Sequence, residues 1–117
     1  MKNEAPVFSL WIDITQWILD RIDDFPKKVR FSISNRVANL SVDILELIIE
    51  ALYKRKKILL LREINIKIEK LRVLLRICFN KKYLSVKQYE FIQEKLFESG
   101  KMIGGWIKQR SKDERTV

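Results

Sequence analysis

The sequence has no histidine, one cysteine, three glycines and two prolines, and each shortage closes a class of fold or function. Histidine is the commonest general base and a usual zinc or di-iron ligand, so imidazole catalysis and the common metal centres are excluded. A lone Cys78 cannot form a disulfide within the chain. It falls on an apolar helix face, where a small buried hydrophobe is expected rather than a nucleophile. Few glycines and prolines leave little material for the tight turns of an all-β fold. There is no glycine-rich phosphate loop, and no uncharged run nears the ~20 residues that a membrane span needs. The N-terminus does not read as a signal peptide, because Asn3-Glu4 follow Lys2 and Asp13 interrupts the apolar stretch. The expectation is a cytoplasmic protein away from the membrane, with no cofactor, no metal and no enzymatic activity.

What is present is apolar and charged. Of 117 residues, 47% are hydrophobic and 33% charged, which suits one globular helical domain spanning the chain. The formal charge is +9, and it is unevenly placed. Residues 54–82 hold eleven Lys and Arg against Glu63 and Glu69, a net of +9, so the rest of the chain sums to zero. A concentrated basic segment captures polyanions, and nucleic acid leads the list of partners; a merely solubilising surface is the alternative.

Hydrophobic periodicity predicts an all-α, antiparallel up-down-up-down four-helix bundle, with helices over about 6–25, 27–53, 57–79 and 86–108. In the first helix Val7, Trp11, Ile14, Ile18, Ile22 and Phe25 recur at spacings of three and four, and Pro26 ends it. Ile33, Val37, Leu40, Ile44, Ile48 and Ala51 line the second. Ser85 and Gln88 form a capping box that starts the fourth, whose buried face is Tyr89, Ile92, Leu96, Ile103 and Trp106. Gly100, Gly104 and Gly105 read as places of close helix approach or, for the last two, as a frayed end. The polar tail 109–117 is expected to be disordered.

The third helix is the most informative. Leu61, Ile64, Ile68, Leu71, Leu75 and Cys78 follow the strict 3-4 alternation of a bundle seam. At 100° per residue a second apolar stripe lies almost opposite: Leu59, Ile66, Val73 and Ile77. A lone bundle buries one face of each helix, so the second stripe predicts either a homo-oligomer interface or a docking surface for a different protein. Basic residues fill the sectors between. The one carboxylate cluster, Asp43, Glu46 and Glu50, reads as salt-bridge partners for the arginine-rich helix in preference to a cation site.

Several stretches resemble the Avd family, the accessory variability determinants of diversity-generating retroelements. Leu61-Arg62-Glu63-Ile64-Asn65, Glu69-Lys70-Leu71-Arg72 and Leu74-Leu75-Arg76 look like its third helix, and Leu84 to Phe91 with Gly104-Gly105-Trp106-Ile107 like its fourth. Phe25-Pro26-Lys27, Arg30-Phe31 and Asp43 to Ala51 resemble its helix 1–2 junction and second helix, so the likeness runs over roughly 8–108. A related branch, encoded in intervening sequences of bacterial ribosomal RNA genes, carries Asn-Ile-Ala-Glu-Gly. Here Asn35-Arg36-Val37-Ala38-Asn39 lacks the glycine, which favours the retroelement branch. The resemblance implies a non-catalytic, barrel-shaped pentamer that binds the retroelement's reverse transcriptase and RNA or DNA. It carries over Arg30, Arg36, Arg62, Lys70, Arg72 and Arg76 as binding residues; Lys54, Arg55, Lys56, Lys57, Lys81 and Lys82 rest on charge alone. The alternative function is a structural or general nucleic-acid-binding oligomer of the intervening-sequence type.

Overall fold

A computed structural model describes residues 5–115. Four helices form the bundle: α1 (Pro6–Ile22), α2 (Asn35–Tyr53), α3 (Ile58–Asn80) and α4 (Val86–Arg115). No strand occurs among the described residues. Consecutive helices pack side by side and α4 returns against α1, so the four close around one core in a rod of 52 × 23 × 22 Å.

The apolar periods build that core. α1 contributes Trp11, Ile14 and Ile18, α2 contributes Val37, Leu40, Ile44, Ile48 and Ala51, and α4 contributes Ile92, Leu96 and Ile103, all buried. The α3 seam from Leu61 to Cys78 is buried at every expected position. Close packing of such side chains, at roughly 1.5–3 kcal/mol each, is the main force holding a bundle together. Burial also pushes the Cys78 thiol up to about 11, so it is an inert filler.

The connections depart from a regular reading in three places. α1 ends at Ile22, and Phe25 is buried from the turn beyond it, against Tyr83 at 5.5 Å between ring centroids. The expected helix start at Lys27 is a 3₁₀ turn (Lys27–Val29) followed by a π-helical turn (Arg30–Ser34). That wide turn brings Ser34 into the core and leaves Ile33 half-buried. The third departure is the C-terminal segment. It is helical to Arg115, not disordered, while Thr116 and Val117 lie outside the described residues. Arg110 donates to the Arg55 carbonyl at 3.2 Å and pairs with Asp113 at 3.5 Å and Glu114 at 3.6 Å. These contacts extend the helix past its apolar face and fasten it to the α2–α3 connection.

The glycines serve no close approach within the subunit. A Cβ at Gly100 would meet only Asn65 Oδ1 at 3.9 Å, and at Gly104 or Gly105 nothing within 4 Å. The helix runs on through all three, so the end is not frayed there either. The capping box forms in both directions: Gln88 N–H donates to Ser85 Oγ at 3.1 Å, and Ser85 N–H to Gln88 Oε1 at 2.9 Å. α3 closes with Lys82 at φ 66°, a left-handed residue, while Lys82 N–H bonds the Phe79 carbonyl and Tyr83 N–H the Cys78 carbonyl. This is a Schellman cap with lysine where glycine is usual.

Candidate interface along α3

Among the described residues, nothing covers the outer stripe of α3. Leu59 is 81% exposed, Ile66 58%, Val73 55% and Ile77 44%, against 0–1% for Leu61, Ile64, Ile68, Leu71, Leu75 and Cys78 on the opposite face. Their order follows from geometry: at 3.6 residues per turn, a helix buried on one stripe must present the other to the outside.

Grooves flank the stripe on both sides, and each carries cations. Towards α2, Arg36 and Lys70 border Ile66 and Val73. Towards α4, Arg72 and Arg76 meet Tyr89, Gln93, Phe97 and Lys101. Arg72 is committed to the bundle more than its neighbours. Its Nε donates to Gln93 Oε1 at 3.0 Å, its guanidinium reaches Glu69 at 3.0 Å, and it lies 5.8 Å from the Phe97 ring centroid. Gln93 returns a bond from its amide to the Arg72 carbonyl at 3.1 Å. Arg72 therefore clamps α3 to α4 while one edge faces the groove. Arg62, Lys70 and Arg76 are exposed.

The remaining basic residues separate into two ends. Lys54, Arg55 and Lys56 are exposed in the α2–α3 connection, where Lys54 pairs with Glu50 at 3.5 Å. Lys57 lies half-buried over Trp106, 5.0 Å from the ring centroid. Desolvation, with the Arg110 charge second, holds its ammonium below the usual lysine range, and Glu114 opposes the shift. Lys81 and Lys82 are exposed at the far end of α3, the end to which Arg30 also belongs. The sequence's single basic segment is thus spread over both flanks of the α3 stripe and the two ends of that helix.

The acidic trio does not meet the arginines of α3. Asp43, Glu46 and Glu50 border a groove with Glu63 and Lys67, and Glu50 pairs within its own helix end. No group of three or more metal-capable side chains gathers among the described residues. Sequence reasoning missed Gln93, Phe97, Lys101 and Arg110. Phe97 sits off the buried face of α4 and Arg110 in a polar tail, so neither shows in an apolar period.

The subunit is thus a basic four-helix bundle with an uncovered aliphatic stripe on α3. Residues 11–110 match the family model described as bAvd-like, and the chain belongs to the bAvd-like family. No curated protein and no solved structure matches it. The family match points to an accessory role of the Avd kind. Among the described residues, no helix is long and apolar enough to cross a membrane.

Proposed function

We infer that this chain is the non-catalytic accessory protein of a diversity-generating retroelement. Copies assemble through the outer stripe of α3, and the flanking cations hold nucleic acid and the reverse transcriptase during mutagenic cDNA synthesis. The observation that carries this reading is the pairing of features along α3: four exposed aliphatic side chains, of which Ile66 and Val73 border grooves that hold Arg36, Lys70, Arg72 and Arg76 against Glu69 and Glu90. Covering that stripe gains on the order of 1–2 kcal/mol per side chain, enough to drive association when repeated across a closed ring. Five copies is the number the Avd likeness implies. Family membership supports the accessory role, and the formal charge of +9 supports a polyanionic ligand.

The test is a salt titration of single-stranded RNA binding, with co-purification of any reverse transcriptase that a neighbouring gene encodes. Binding should weaken steeply as salt rises, because each neutralised phosphate releases a counterion. No RNA retained even at low salt, and no polymerase recovered, would leave the basic face as a solubilising surface.

A further inference from the structure

One end of the bundle carries a feature that the α3 stripe does not explain. The turn between α1 and α2 and the turn between α3 and α4 meet there, joined by the Phe25–Tyr83 ring contact at 5.5 Å. The first turn supplies Lys27, Lys28 and Arg30, the second Lys81 and Lys82, and all five are exposed. Asp23 and Asp24 oppose them, and Asp24 lies 4.0 Å from Arg21. Phe31, inside the π-helical turn, is 88% exposed, the highest value among the large hydrophobic side chains described. Neither another ring nor a cation occupies its faces among the described residues. Its neighbours Val29 and Ile33 are half-buried, so the turn draws them inward and leaves the phenyl outside. Wide helical turns of this kind are frequent at functional sites.

We propose that this end is a binding site for single-stranded nucleic acid, in which Phe31 stacks on an unpaired base while Lys27, Lys28, Arg30, Lys81 and Lys82 grip the adjoining phosphates. The proposal rests on the nucleic-acid reading above and deepens it by naming the strand state. A free aromatic face beside a dense group of cations is the combination that single-strand binders use. A duplex keeps its base faces stacked and offers only phosphates to such a site. An anionic membrane fits less well: one phenyl gives little apolar area to insert, and stable anchoring takes a larger apolar face or a second signal.

Fluorescence anisotropy with a labelled oligouridylate and an RNA duplex of equal length separates these ligands. The intact protein should prefer the single strand. Phe31→Ala should lower single-strand affinity about 10-fold and leave duplex affinity nearly unchanged. Phe31→Trp should restore the preference, with its added indole emission quenched by bound oligouridylate. Equal losses on both ligands, or none, would overturn the stacking role. So would a Phe31→Ala protein whose mass by light scattering falls below that of the intact protein, since Phe31 would then be a subunit contact. Phe31-dependent retention on phosphatidylserine vesicles without a single-strand preference would assign the end to membranes instead. If the intact protein binds neither RNA, the broader nucleic-acid reading falls as well. If it binds both alike and Phe31→Ala changes nothing, only the stacking site falls.

Discussion

The two apolar stripes of α3 use the same residue types at nearly the same period and end in opposite environments. Leu61, Ile64, Ile68, Leu71, Leu75 and Cys78 are sealed inside the bundle, whereas Leu59, Ile66, Val73 and Ile77 stand exposed about half a helix turn away. The inner stripe is contacted by the other helices of its own chain, so its cost and benefit belong to folding. The outer stripe is left uncovered by the described residues, so the benefit of burying its exposed area must come from a second molecule. Hydrophobicity alone does not separate a core residue from a contact residue; the phase around the helix does.

The largest contrast should come from matched truncations. Leu71→Ala removes fully buried methyl groups and should cost about 2–5 kcal/mol in denaturant unfolding. Ile66→Ala should cost far less at concentrations where the protein is dissociated, with its penalty appearing only as weaker association. Equal unfolding penalties would erase the distinction between the faces.

A pH scan sharpens the inner side. Cys78 is raised from 9.0 to about 11 in the folded chain, so the fold holds this proton more tightly than the unfolded chain does. Its contribution is complete below pH 9 and is lost as pH rises towards 11, an effect of at most about 3 kcal/mol. Cys78→Ala should remove that part of the alkaline slope. At about pH 8 a thiol reagent should leave folded Cys78 unmodified yet label a cysteine introduced as Val73→Cys in dissociated subunits.

The flanking arginines give a smaller difference. Arg72→Ala breaks the bonds to Gln93 and Glu69 and should cost about 1 kcal/mol of stability. Arg76→Ala should stay within about 0.5 kcal/mol in unfolding while lowering RNA affinity and its salt dependence. The reverse order would make Arg76 the structural residue. Smallest of all, Lys82→Gly relieves the left-handed backbone at the end of α3 and should add about 0.5–1 kcal/mol in thermal unfolding, without altering assembly.

Much of this was legible along the chain because it depends on near neighbours. The 3-4 alternation of α3 and the Ser85–Gln88 box are local patterns, and both stripes fall where periodicity puts them. What escaped depends on contacts between distant residues. Arg110 reaches the Arg55 carbonyl across 55 positions and keeps a polar tail helical. Gln93 meets Arg72 across 21 positions and adds a clamp between α3 and α4. The wide turn at Arg30–Ser34 escaped for a different reason: Val29, Ile33 and Val37 still read as an ordinary helical spacing, which hides an added residue in the turn.

The most direct measurement is the solution mass of the intact protein by light scattering, beside a variant carrying Ile66→Asp and Val73→Asp. A covered stripe predicts a discrete multiple of 14.1 kDa for the intact chain and a single subunit with full helical content for the variant. A single subunit for both at micromolar concentration would contradict it.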